Sequence, residues 1–347
     1  MTILVTKVAV KKHGVLLINL GTPDSSTPSD VGKYLREFLM DPYVIDIPWV
    51  PRWLFVNLAI VPKRAHSSSG LYAKVWTEAG SPLLVHTLEL GRQVQVALGD
   101  TAAVEVAMRY GKPSISEGID RLLAVGVEHL TVLPLYPQYS LAATESSIGK
   151  VKEVLASRGW KGELRLLPAF HDSEAYLNAV TEVSAPYLQK RPVDLVLFSF
   201  HGLPERQLKK SDATGTYCLA SETCCDVPTA ANRNCYRHQC YMTAKSLAQR
   251  LNINPLRYSV CFQSRLGRTP WIKPYTDHFY EALPSRGIKR LAVLCPSFVA
   301  DCLETLEEVA IRGQAQFRAA GGDDLFLVPS LNSSAVWVKA VAGMVSK

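Results

Sequence analysis

The sequence predicts an α/β protein of two similar Rossmann-like domains, each a four-stranded parallel sheet flanked by helices. Three observations lead there. Eight short runs, at 14–20, 104–109, 130–135, 164–168, 195–200, 258–263, 291–295 and 325–329, are rich in Val, Leu and Phe and apolar on both faces. Strands covered on both sides of a parallel sheet need that pattern. Helix-length amphipathic segments separate the runs, which implies right-handed crossovers. The chain also repeats itself: residues 129–137 resemble 290–298 and residues 164–180 resemble 325–341, both at an offset of 161.

The elements follow in order. After the first strand, Val31, Tyr34, Leu35, Phe38 and Leu39 fall at helical spacing, with Ser29 or Asp30 as the expected N-cap. Residues 45–62 are apolar, but Asp46, Arg52, Asn57 and prolines interrupt them, so a membrane span is not expected. A length of 347 residues suits two domains. The expected division is 1–188, then 189–331 with a cysteine-rich insert at 217–240, then a helix at 332–347 packing back on the first domain.

Composition narrows the function. Apolar residues make up 48% and charged residues 20%, which excludes wholesale disorder and a disulfide mini-protein. Lys plus Arg is 38 against 31 Asp plus Glu, a net charge of +7. That excess suits an anionic ligand or an acidic membrane surface, and without a basic run it does not indicate nucleic acid. Lys7, Lys11 and Lys12 break the N-terminal apolar stretch and no small-residue cleavage site follows, so the cytoplasm is the expected compartment. Eight cysteines there point to metal or redox chemistry.

No three-glycine dinucleotide fingerprint follows the first strand, and no P-loop is present. Ligands of open α/β sheets sit beyond the carboxyl ends of the strands. The residues expected there include Leu20, Arg109, Tyr110, Tyr136, Gln138, Tyr139, Ser140, His201 and Phe298. Large rings, arginine and histidine on one rim fit a wide, flat aromatic ligand with anionic edges. His201, at a strand tip, either takes a proton or binds metal, or is hydrogen-bonded into a turn. Asp301, Glu304 and Glu308 are spaced to share one helix face. They either line a cleft and relay protons or simply suit the helix N-terminus.

Cys218, Cys224, Cys225, Cys235 and Cys240 fall within a loop-like stretch of 23 residues. Such density indicates an iron–sulfur cluster or zinc, with structural thiols as the third reading. Irregular spacing without tandem CxxC pairs favours [2Fe–2S] on Cys218, Cys225 (or Cys224), Cys235 and Cys240. Cys261, Cys295 and Cys302 are expected to be buried hydrophobes.

Ordered blocks then carry a resemblance along nearly the whole chain: LLINLGTP at 16–23, LYAKVWTEAGSP at 71–82, LPLYPQYS at 133–140, SFHGLP at 199–204, FQSRLG at 262–267 and FVADCLETLEE at 298–308. They resemble the ferrochelatases. The resemblance implies insertion of Fe(II) into a porphyrin, the last step of haem synthesis, in a cleft between the two domains. It implies that His201 and Glu304 are the essential pair, acting as base or metal contact, with Glu308 next in an acidic row and Asp301 beside it. Arg312 stands where a further carboxylate can follow. Arg109 and Tyr110 match pocket residues, and residues 48–55, with Trp49 and Trp53, match an apolar lip over the porphyrin. Leu20 stands where coproporphyrin-specific members carry tyrosine, so protoporphyrin IX is the expected substrate. Some members carry an internal [2Fe–2S] cysteine segment. The expected partners are protoporphyrin IX, Fe(II), an anionic membrane surface met peripherally at the inner membrane, and a second copy in a homodimer. Coproporphyrin III, sirohydrochlorin and a cysteine-cluster redox or iron sensor remain the competing readings.

Overall fold

The computed structural model describes residues 12–346 apart from 266 and 268. Lys7, Lys11 and Leu266 of the readings above lie outside them. All eight expected strands form: β1 (Lys12–Gly21), β2 (Ala102–Tyr110), β3 (Val127–Pro134), β4 (Glu163–Leu166), β5 (Leu195–His201), β6 (Tyr258–Gln263), β7 (Arg290–Leu294) and β8 (Asp324–Leu327). They make two all-parallel sheets of the same order, β2-β1-β3-β4 and β6-β5-β7-β8. The repeat extends to register. His129 pairs with Glu163, and 161 residues later Arg290 pairs with Asp324.

Side-chain alternation explains why the strands read as apolar on both faces. Val15 and Leu17 point into one core that also takes Val196, Phe198 and Phe200 from the second sheet. Leu16 and Ile18 point the other way, under helices of the first half, and Leu195 and Leu197 do the same in the second. The inner faces of both sheets therefore share a continuous apolar body, and each outer face has its own.

Three helices position the site. Pro28–Leu39 is capped by Thr27, whose Oγ1 accepts from Asp30 N at 3.4 Å, and not by Ser29 or Asp30. Pro28, with φ already helical and no N–H to satisfy, takes the first helical position and shifts the cap forward. Trp49–Leu54 runs through a π-helical turn, Phe55–Ile60, into Val61–Val75. The acidic segment starts with Leu303–Thr305 and continues as a π-helix, Leu306–Gly313. At the chain end Ala335–Val345 lays Trp337 against Phe170 and Tyr176, at 5.8 and 6.1 Å between ring centroids. Among the described residues no helix is long and apolar enough to cross a membrane.

Candidate active site

His201 is the last residue of β5, half-buried between Trp271 and Phe298, whose ring centroids lie 6.4 and 6.2 Å away. Its Nδ1 is 2.6 Å from the Gly202 carbonyl. A carbonyl only accepts, so Nδ1 carries a proton and, in the neutral ring, the lone pair is on Nε2. The backbone is held at both ends: His201 N donates to Ser297 Oγ at 3.2 Å, and Tyr236 Oη donates to His201 O at 2.8 Å. Gly202 has to be glycine, since a Cβ there would stand 2.9 Å from the Gln263 carbonyl.

Gln263, at the end of neighbouring β6, links His201 to the acidic segment. Its backbone carbonyl accepts from Gly202 N at 2.7 Å, and its Nε2 donates to Glu304 O at 2.8 Å. Ser199 Oγ donates to its Oε1 at 2.6 Å and fixes the amide. Glu304 faces the first half. Burial and then the Glu304 charge push the Tyr72 hydroxyl well above its usual range; burial, Tyr72 and Glu304 do the same to Tyr34.

The acidic row is not the single helical face that its spacing suggested. Asp301 precedes the helix, which Cys302 caps, and its carboxylate accepts from Thr305 Oγ1 (3.0 Å), Asn332 Nδ2 (2.8 Å) and Ser330 N (3.2 Å). It is 7% exposed and fastens the loop before the helix. Glu308 accepts from both Ser264 N and Ser264 Oγ, with Arg312 at 3.7 Å. Ser264 holds φ +66°, a left-handed backbone that a non-glycine residue keeps only when its surroundings impose it. Glu307 had no place in the sequence reading. It is 1% exposed, between Lys74 (3.1 Å) and Arg312 (3.3 Å), and ties the Val61–Val75 helix to the π-helix.

The first-half rim differs from expectation. Arg109 pairs with Asp41 and donates to Ser146 Oγ at 2.7 Å, and Tyr110 Oη donates to the same Asp41 carboxylate at 2.8 Å. Tyr110 is fully buried, and Gln138 and Ser140 are 3% and 7% exposed. These three residues underlie the wall and do not form its surface. Gln138 Nε2 donates to Thr243 Oγ1 at 3.1 Å and Tyr139 N to Gln239 Oε1 at 2.6 Å, so this loop fastens the halves together. Ser140 Oγ accepts from Ala143 N at 3.2 Å and caps the turn that follows. Leu20, Tyr136 and Phe298 remain partly accessible. Asp41 and Ser146, the partners that spend the Arg109 charge, gave no sequence signal beyond the presence of an arginine needing one.

On the lip, Trp49, Val50, Phe55 and Leu58 are half or more exposed, with Trp53 and Leu54 close behind. Arg52 is the exception: it is buried and donates to Ile45 O at 3.0 Å, so its charge is not part of the exposed lip.

The cysteine segment gathers its thiols unevenly. Cys235 stands at the N-cap position of the helix Tyr236–Arg250 without a side-chain cap bond, and the neighbouring Cys218 and Cys225 thiols, helped by the backbone N–H groups of His238 and Arg237, pull its pKa down. The Cys224 and Cys225 sulfurs are 3.8 Å apart, and Arg237 Nη1 is 3.3 Å from Cys225. Cys240 is fully buried beneath Tyr236. As they stand, no three ligating side chains among the described residues are arranged to hold a metal ion. The donor chemistry nevertheless fits a thiolate-bound group: Cys218, Cys224, Cys225 and Cys235 lie together, and the Arg237 guanidinium beside Cys225 offsets thiolate charge. Cys261, Cys295 and Cys302 are buried, as expected.

A family model described as ferrochelatase matches residues 12–347. The ferrochelatase of Azotobacter vinelandii is 47% identical over 331 residues, covering 95% of this chain and 97% of its own. That of Coxiella burnetii is 46% identical over 336 residues, covering 97% and 94%. Among solved structures, SirB from Bacillus subtilis with Fe3+ shares the fold with a TM-score of 0.53 at 10% identity, covering 96% of this chain and 94% of that one.

Proposed function

The chain belongs to the ferrochelatase family, and from that premise we propose that it inserts Fe(II) into protoporphyrin IX, releasing two protons, as the last step of haem synthesis. The observation that carries the reading is the fixed tautomer of His201. With Nδ1 held on the Gly202 carbonyl, Nε2 offers a lone pair from a strand tip flanked by two aromatic rings.

The reaction removes two pyrrole N–H protons while iron enters. His201 Nε2 takes a proton or makes the first contact with iron, and the Glu304 carboxylate, fixed through its backbone to Gln263, supplies the opposing charge. Glu308 and Arg312 form the outer end of this path, and Arg312 there limits how far a proton can travel by carboxylates alone. Partly accessible Leu20, Tyr136 and Phe298 supply apolar surface to the macrocycle. A cleft that fits a bent ring better than a flat one exposes the nitrogen lone pairs and lowers the barrier by differential binding.

Two further parts belong to this reading. The cysteine segment holds a [2Fe–2S] cluster, on Cys218, Cys235 and Cys240 with Cys225 (or Cys224) as the fourth ligand; the proximity of Cys218 and Cys225 to Cys235 supports it. Such a cluster would add redox-active iron to the segment. The exposed lip Trp49–Leu58 meets a membrane surface, where a poorly soluble porphyrin is collected.

The test is a metallation assay of the purified protein with Fe(II), or Zn(II) as surrogate, on protoporphyrin IX, coproporphyrin III and sirohydrochlorin. Fastest turnover of protoporphyrin IX is expected. Preference for either other tetrapyrrole overturns the substrate, and no metallation of any overturns the activity. An anaerobic visible spectrum with iron and acid-labile sulfide analysis decides the cluster, with stoichiometric zinc as the result against it.

A further inference from the structure

Tyr236 joins two regions that the sequence gives no reason to connect. It is the first residue of the helix Tyr236–Arg250, directly after Cys235 and four residues before Cys240, so Tyr236 and Cys240 share a helix face. Its ring is buried, 7% exposed, and its hydroxyl donates to the His201 carbonyl at 2.8 Å. The same hydroxyl contacts Cys240 and Ser297, and Ser297 Oγ accepts from His201 N. Tyr236 and Ser297 thus clip both backbone polar groups of His201, one of them from the residue that directly follows Cys235 in the chain. The sheet holds the next residue, where Gly202 N donates to the Gln263 carbonyl at 2.7 Å, and the His201 ring itself bonds to the Gly202 carbonyl.

We propose that Tyr236 is a positioning residue through which the cysteine segment sets His201, so that order at Cys235 is read out at the strand tip. The proposal rests on the reading of the cysteine segment as a ligand site. When Cys235 is held by a bound group, the first turn of the helix is fixed and the Tyr236 hydroxyl stays on His201. When it is released, the first turn loosens with it, because Cys235 is bonded directly to Tyr236 and its backbone carbonyl accepts the first helical bond, from Gln239 N at 3.0 Å. The coupling needs no electron transfer.

The test uses the full chain purified anaerobically. Tyr236→Phe removes only the hydroxyl. It should leave the visible spectrum unchanged and lower kcat about tenfold, the order of one lost hydrogen bond, with KM for the porphyrin unaltered. Amide hydrogen exchange should rise in the peptide 199–204 and not in β1. Cys235→Ser should raise exchange in the same peptide, and the double variant should raise it no further than either single one. Unchanged exchange at 199–204 in Tyr236→Phe, or additive effects in the double variant, overturns the proposal. Absence of both iron and zinc from the wild-type protein overturns the ligand-site reading alone, because the Cys235→Ser arm decides the coupling without any metal.

Discussion

Leu20 and His201 occupy the same place in the two sheets. Leu17 pairs with Leu133 and Phe198 with Leu294, and Leu133 and Leu294 are repeat counterparts, so three residues on Leu20 corresponds to His201, each followed by a glycine. One strand outward, Leu17 pairs with Val106 and Phe198 with Val260, which makes Arg109 the counterpart of Gln263 and Tyr110 that of Ser264. The scaffold is shared and its use is not. The first half turns its polar rim inward, with Arg109 and Tyr110 on Asp41. The second half turns it toward the acidic segment, with Gln263 on Glu304 and Ser264 on Glu308. Under the proposed function one sheet end serves as wall and the other as the reacting side, and the difference lies in the side chains at equivalent positions together with the left-handed backbone at Ser264, whose counterpart Tyr110 is still in its strand.

The largest expected effect tests that asymmetry directly. His201→Ala and Glu304→Gln should each lower metallation by roughly 10²–10⁴-fold, the range of a lost general acid–base group, with little change in thermal midpoint. Leu20→Ala, the counterpart change, should cost far less activity. Equal losses from Leu20→Ala and His201→Ala in the same assay would break the comparison.

The reverse asymmetry should appear in stability. Asp41 is 1% exposed at its side chain and carries the charge that satisfies Arg109. Asp41→Ala leaves a buried guanidinium unpaired and should destabilise the fold by about 3 kcal/mol, measured by urea unfolding. Gln263→Leu removes neutral hydrogen bonds and should cost about 1–2 kcal/mol while lowering activity more than stability explains. If Gln263→Leu is as destabilising as Asp41→Ala and fully active when folded, the second rim is structural as well.

The strands, their order of appearance and the repeat were legible because both faces of a parallel strand need apolar residues, a signal dense enough to survive tertiary context. The site was legible in part. His201 stands out beside glycine and proline, and the cysteines by their density. What local spacing could not give was direction. Asp301, Glu304 and Glu308 have helical spacing, but the chain enters the helix only at Leu303 and continues as a π-helix, so Asp301 turns to Thr305 and Asn332. Asp41, Glu307 and Tyr236 act through partners 68, 233 and 35 residues away, and no periodic pattern encodes such a pairing.

The smallest effect concerns what the wall reads. Protoporphyrin carries apolar vinyl groups where coproporphyrin carries two further carboxylates, so an apolar residue at the rim favours the first. Leu20 is partly accessible at the end of β1. Its backbone is held independently of its side chain, since Leu20 N donates to Asn19 Oδ1 at 2.8 Å and Asn19 Nδ2 donates to Thr87 Oγ1 at 3.0 Å. Leu20→Tyr should therefore fold normally and leave the metal-insertion step intact once substrate is bound. A hydroxyl at this position can bond a propionate that leucine only excludes. The ratio of kcat/KM for coproporphyrin III to that for protoporphyrin IX should rise by up to about tenfold, the scale of one side-chain contact in a pocket. The ratio is the decisive quantity, because a general loss of activity lowers both terms together. An unchanged ratio would mean that the end of β1 does not touch the porphyrin periphery, and the wall would then have to be sought at Tyr136 and Phe298.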